Sequence, residues 1–274
     1  LDRAGVANPI QEAGWLVEHA LGLRTHQIVS EGDRPVSAEA WVRGASLVAR
    51  RAAREPLQYI LGTHEFCGLV FAVGPGVLIP RPETELLVQE VVRRGDSGKP
   101  VTIVDVGTGS GCLAVTLATL LKEARILAVD RSPEALALAR GNARKLGVED
   151  RVEWYEGDLL APLQDKGIAG AVDVIVSNPP YISEGEWAGL QPEVRLFEPP
   201  MALVAGPDGT EFHKRLLREA LPYLVSGGLL LMEVGQGQAP VVRRIAARLG
   251  GYAPLRIVED AAGIERVVIA QRLG

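Results

Sequence analysis

The chain of 274 residues is 47% hydrophobic and 23% charged, the balance of an ordinary folded protein and not of a disordered one. A formal net charge of −5 argues against a partner held mainly through its phosphates, while leaving room for a local basic patch. No apolar run reaches the roughly 18 residues of a membrane helix, and "LDRAGVANPI" lacks the basic region and apolar core of a signal peptide.

Residues 1 to about 55 read as helical. In "EAGWLVEHALGL", Ala13, Leu16, Val17, Ala20 and Leu21 fall on one helical face, and Gly22 follows where a helix would end. Ser37 is the expected N-cap of a second helix through "AEAWVRGASLVARRAARE", whose Arg50, Arg51 and Arg54 suit the C-terminal end of its dipole. In "HEFCGLVFAVGPGVLIPRP" two β-rich runs flank Gly74-Pro75-Gly76, which predicts a hairpin turning there. "ETELLVQEVVRRG" then reads as a helix ending near Gly95, and "DSGKP" as a polar break.

From Val101 strands alternate with helices. The expected strands are "VTIVDVG", "RILAVD", "RVEWYEGD", "VDVIVSN", "GGLLLMEVG", "PLRIVED" and "RVVIAQ". The helices between them are "CLAVTLATLLKEA", "SPEALALARGNARKLG", "DGTEFHKRLLREALPYL" and "APVVRRIAARLGG". Ser132-Pro133-Glu134 is a helix start, and Asp208 and Glu211 have capping-box spacing. Strands this rich in Val, Ile and Leu imply burial on both faces, hence an α/β fold with a mostly parallel sheet and a helical annex in front. Cys67 and Cys112 read as small buried thiols of a reducing cytoplasm. Four scattered histidines, with no HExxH or CxxC, predict no protein-bound metal.

The first strand of the alternating part ends in "DVGTGSGC". In an open α/β sheet ligands sit beyond the carboxyl ends of the strands, and a glycine-rich first turn lets backbone approach them. The turn Gly107, Thr108, Gly109, Ser110, Gly111 has GxGxG spacing in place of the dinucleotide GxGxxG, and Asp105 stands just before it. A carboxylate there is a poor neighbour for pyrophosphate and suits the cationic end of S-adenosylmethionine. Asp130 closes the next strand, placed to accept from ribose hydroxyls. Asp158 closes the third, where it could accept from an adenine amino group or merely solvate a turn.

The fourth strand ends in "SNPPY". Proline fixes its own φ and keeps the preceding residue out of the helical region, so the carbonyls at Asn178, Pro179 and Pro180 are held still. The Asn178 side-chain oxygen and the Pro179 carbonyl offer two acceptors for a planar N–H2 group, and Tyr181 offers a flat face. Such a pair would aim a weakly nucleophilic nitrogen at a methyl group and offset the positive charge that grows on it. A solvated turn would explain the tetrapeptide only if its position after a GxGxG turn were ignored.

With these residues in view the chain resembles the class I S-adenosylmethionine-dependent methyltransferases that carry (D/N/S)PP(Y/F/W). Within them it resembles the protein-(glutamine N5) methyltransferases that act on peptide chain release factors. "EPLQYILG" (55–62), "VLIPRPETE" (77–85), "DVGTGSGC" (105–112), "NPPYI" (178–182) and "LMEVGQGQ" (231–238) stand as that family's motifs do. The resemblance implies a seven-stranded Rossmann-like sheet with its last strand antiparallel and helices on both faces. It also implies division into an N-terminal helical substrate-recognition domain (1–63), a β-hairpin linker (64–82) and a methyltransferase domain (83–274). The methyl acceptor implied is the glutamine of a Gly-Gly-Gln loop, and the product is S-adenosylhomocysteine. Cofactor contacts carry over to Asp105, Gly107 to Gly111, Asp130, Asp158, Leu159 and Asn178, and substrate contacts to Asn178, Pro179, Pro180 and Tyr181. Relatives often have an aromatic residue where Leu159 stands. Arg81 and Glu83 read equally as a structural salt bridge or as cofactor contacts.

The alternative is a nucleic-acid amino-methyltransferase working on an exocyclic amino group through the same tetrapeptide. It would need a basic track, whereas residues 1 to 60 hold seven basic and seven acidic residues. A cytoplasmic monomer with a protein substrate is expected.

Overall fold

A computed structural model of the chain describes every residue except Glu31, Arg34 and 96–99. Most of the expected polar break after Gly95 thus lies outside the described residues.

The annex is helical, as its periodicity requires. Helix α1 (Pro9–Leu21) begins with Pro in its first turn and ends at Gly22, whose N–H bonds Glu18 O. Its buried face is narrower than the pattern predicts: Leu16 and Ala20 are buried, while Val17 is 41% exposed. Helices α2 (Thr25–Ser30), α3 (Ala38–Ala52) and α4 (Leu57–Leu61) follow. Ser37 caps α3 as expected, its side chain accepting from Ala40 N.

The hairpin is displaced from the expected turn. Strands β1 (Thr63–Phe66) and β2 (Leu69–Ala72) pair across Cys67-Gly68, so both end before Gly74. Both turn residues have positive φ, 50° and 74°, the handedness that matches strand twist in a two-residue loop. The Glu85 carboxylate accepts from Cys67 N at 2.8 Å and ties the turn down. Gly74-Pro75-Gly76, with the stronger turn composition, turns the chain after β2 instead, with Val77 N donating to Gly74 O at 3.3 Å. Both cysteines are free and only half-buried.

The remaining elements are α5 (Glu85–Gly95), β3 (Thr102–Val106), α6 (Cys112–Leu120), β4 (Arg125–Asp130), α7 (Pro133–Lys145), β5 (Val152–Glu156), β6 (Val172–Ser177), α8 (Pro192–Phe197), α9 (Glu211–Ala220), β7 (Leu224–Glu233), α10 (Ala239–Leu249), β8 (Arg256–Glu259) and β9 (Glu265–Gln271). The short helix α8 carries no periodic signal long enough to read in advance. Asp208 does not form the expected capping box: it accepts from the N–H and hydroxyl of Thr210, which is itself the residue before α9.

Strands β3 to β9 form one sheet in the order β5-β4-β3-β6-β7-β9-β8, with β9 antiparallel to both neighbours. Two apolar layers cover its faces, one built on Leu127, Ile175, Leu217 and Leu230, the other on Ile103, Leu117, Ile126 and Leu231. This is the doubly covered sheet that unalternating apolar strands predict. Successive strands run outwards in opposite directions from β3 and β6, which pair in parallel from Ile103↔Val174 to Val106↔Ser177. Their carboxyl ends therefore open the crevice where such sheets bind ligands.

Candidate active site

The glycine turn leaves β3 at the lip of this crevice. Gly107, Gly109 and Gly111 all have positive φ, and a Cβ on Gly111 would stand 2.9 Å from the Ala139 Cβ, so only glycine lets α7 pack this close. Asp130, at the end of β4, holds the turn: its carboxylate accepts from Gly109 N at 2.8 Å and from Ser132 N at 2.9 Å. Asn142 of α7 braces it from behind, donating to Ser110 O at 2.9 Å and exchanging two bonds with Ala72 of β2.

A cleft with about 780 Å³ of empty space, part of it open to solvent, lies over the turn. Gly107, Gly109, Asp130, Asp158, Leu159, Asn178, Pro179 and Pro180 line it among the residues singled out from sequence. Asp105, Thr108, Ser110 and Gly111 do not. Asp105 is wholly buried beneath the turn, where Oδ2 accepts from the Thr108 hydroxyl at 2.6 Å and from Ala114 N at 3.1 Å. Its Oδ1 has no partner among the described residues, and burial pushes the carboxyl up to about 7 against those two bonds. Asp158 reaches the cleft wall but is also paired with Arg215 of α9 at 2.7 Å. Leu159 beside it has φ 47°, a strained conformation for a leucine, and presents an aliphatic wall.

A second cavity meets the first at the end of β6. It is lined by Leu78, Arg81, Asn178, Pro179, Tyr181, Ile182, Leu190, Val194, Ala202 and Leu203. Leu78, Asn178, Pro179 and Ala202 border both spaces, and of these Asn178 and Pro179 carry the polar acceptors, so whatever occupies one space faces the other past those acceptors. Arg81 is an ion-pair partner: it meets the buried Glu198 at 2.5 Å, and Glu198 also accepts from Ile79 N. Glu83 stands 3.9 Å from Arg266. The motif "EPLQYILG" acts at a distance, its Tyr59 hydroxyl donating to Val77 O at 2.5 Å behind the cleft-lining Leu78.

Sequence reasoning passed over a buried polar chain behind Asn178. The Asn178 Nδ2 donates to the Thr84 hydroxyl at 3.0 Å, and that hydroxyl donates to Glu233 Oε2 at 2.6 Å. The Tyr181 hydroxyl donates to the other Glu233 oxygen at 3.3 Å. The available signal was an acid closing a strand directly after the apolar run Leu229 to Met232.

The donor set suits an adenosylated sulfonium. Turn N–H groups and the Asp130 carboxylate provide polar contacts, and Val129, Ala135, Leu159 and Phe212 provide aliphatic and aromatic walls.

Comparison with known proteins agrees. A family model described as the PrmC N-terminal domain matches residues 1–62, and the methyltransferase small domain matches residues 82–197. A release factor glutamine methyltransferase of Geobacter sulfurreducens is 46% identical over 98% of this chain and 91% of its own length. One of Moorella thermoacetica is 42% identical over 99% and 94%. Among solved structures, a methyltransferase from Pyrococcus furiosus shares the fold with a TM-score of 0.53 at 17% identity, covering 84% of this chain and 98% of that one. The N-terminal domain of human METTL16, solved in complex with SAH, does so with 0.53 at 19%, covering 74% and 75%. Relatives this similar along nearly their whole length establish that the chain belongs to the release factor glutamine methyltransferase family.

Proposed function

We propose that this protein transfers a methyl group from S-adenosylmethionine to the side-chain amide nitrogen (N5) of the glutamine in the Gly-Gly-Gln loop of peptide chain release factors. The observation that carries the reading is the shared border: Asn178 and Pro179 line both the cleft over the glycine turn and the neighbouring cavity. In this reading the cleft holds the methyl donor and the neighbouring cavity admits the glutamine side chain.

The donor supplies an electrophilic methyl carbon whose bond to sulfur breaks as the nitrogen attacks. This chain's residues do the rest. The glycine turn, Asp130, Asp158 and Leu159 hold the adenosyl part, while Asp105 braces the turn from below through Thr108 and Ala114. The Asn178 Oδ1 and the Pro179 carbonyl each accept one amide N–H, which orients the nitrogen and offsets its growing charge until one of those protons is lost to solvent. Tyr181, its hydroxyl held by Glu233, packs against the amide plane. Residues 1–63 dock the release factor, 64–82 join them to the chemistry, and 83–274 carry it. The enzyme acts as a cytoplasmic monomer on protein and not on nucleic acid.

Incubation with labelled S-adenosylmethionine and purified release factor, alongside total tRNA, rRNA and DNA, tests this directly. Label should map to the Gly-Gly-Gln peptide. Label in nucleic acid, with none in protein, would reject the assignment.

A further inference from the structure

We propose that Thr84 and Glu233 are positioning residues that hold the Asn178 amide with its oxygen turned towards the incoming acceptor. This rests on the methyl-transfer reading above and extends it to two residues that touch neither donor nor acceptor.

A threonine hydroxyl has one proton to give. Here it is committed to the Glu233 carboxylate at 2.6 Å, so towards Asn178 the Thr84 oxygen offers only lone pairs. Only the Nδ2 end of the amide can meet those lone pairs, and it does so at 3.0 Å. The Oδ1 end, which accepts no hydrogen bond among the described residues, is left for the substrate. An isolated asparagine is free to turn over; this one is set by a carboxylate two bonds away. Thr84 is 1% and Glu233 2% exposed, so water does not substitute for either.

The device depends on the charge of Glu233. Around that carboxyl stand Thr84 and Glu83 from the segment before α5, Tyr181 after β6, and Arg266 on β9. His213 of α9 meets the Glu233 carbonyl oxygen through Nε2, and Cys112 of α6 lies close enough to feel its charge. Burial pushes Glu233 up to about 7; the bonds from Thr84 and Tyr181 pull the other way, Glu83 adds to the rise and Arg266 opposes it. Once protonated, Glu233 can donate to the Thr84 oxygen and release the threonine proton to Asn178. The Thr84 hydroxyl can then meet either end of the amide, so the bias that keeps Oδ1 towards the acceptor is lost.

The test compares wild type, Thr84→Ser, Thr84→Val and Glu233→Gln, with intact release factor as acceptor. In wild type and Thr84→Ser, kcat should rise with pH through about 7. In Thr84→Val, kcat at about pH 8 should fall about 100-fold, with KM for the release factor and the donor dissociation constant within about 3-fold of wild type, and the step in the pH profile should vanish. Glu233→Gln should likewise be slow and insensitive to pH in this range. In 15N-labelled protein, the Asn178 side-chain amide resonances should move through the same transition in wild type and not in Thr84→Val. A Thr84→Val enzyme with wild-type kcat and pH profile overturns the proposal, as does donor binding lost in step with kcat. Failure of wild type to methylate any release factor would instead sink the functional reading, and the amide resonances would still report whether Glu233 sets the asparagine.

Discussion

Replacing Asn142 with leucine, a side chain of similar size without polar atoms, should loosen the site without touching it. Asn142 is 1% exposed and makes three hydrogen bonds, two to Ala72 and one to Ser110 O. The substitution leaves the Ser110 carbonyl buried and unpaired, at about 1–3 kcal/mol, and half-buried Ala72 loses two further bonds worth about 0.5–1 kcal/mol each. The sum is about 3 kcal/mol, which for a protein of this size lowers Tm by roughly 6–12 °C. Because the same bonds brace the glycine turn, affinity for S-adenosylmethionine should weaken by about tenfold, the equivalent of about 1.4 kcal/mol. Scanning calorimetry gives the first quantity and titration calorimetry the second. A Tm lowered by less than about 2 °C, with unchanged donor affinity, would refute the idea that this asparagine couples hairpin to turn.

Asn178→Ala should cut kcat by about 100-fold or more while donor binding survives; equal loss of both would make the residue structural. Asp130→Ala removes the acceptor for the Gly109 N–H of the turn and the Ser132 N–H before α7, and should weaken donor binding by at least about tenfold, measured by calorimetry. Asp105→Asn addresses pH. The folded protein keeps the Asp105 proton up to about 7, against an ordinary 3.8 in the unfolded chain, so ionisation of this group lowers stability progressively as pH rises between those values. The Tm of the variant minus that of wild type should therefore grow from about pH 4 to 7 and then level off; a difference independent of pH would contradict the burial argument. Glu193→Ala removes the partner of Arg54 at 2.6 Å and one partner of Arg51 at 3.0 Å, and should raise KM for intact release factor more than for a short glutamine peptide. Equal changes would reject any link between annex and acceptor cavity.

The catalytic sheet was readable because its strands are apolar on both faces and its helices carry Ser132-Pro133 or glycine boundaries, signals that depend on a few neighbouring residues. The crevice followed from strand order alone. The hairpin turn was misplaced because Gly74-Pro75-Gly76 has the better turn composition, whereas Cys67-Gly68 is held by Glu85, a contact that composition does not encode. Asp105 was expected near the donor on account of its place beside the turn; burial beneath it is a matter of which face of β3 it occupies. Thr84 and Glu233 lie 149 positions apart and meet only through the fold. Each stood within a recognised motif, yet nothing local marks them as partners.

The way Tyr59, Arg51 and Arg54 reach across to Val77 and Glu193 bears on engineering. Anyone wishing to exchange the front helices between relatives, so as to redirect the enzyme to another protein target, will find the seam in space and not at a residue number. A graft cut at the helix-to-strand changeover would sever the tyrosine's hold on one wall, leave Arg54 without its carboxylate and cost Arg51 one of its two. Moving Glu193 and the 77–79 segment together with the transplanted helices keeps the joint whole.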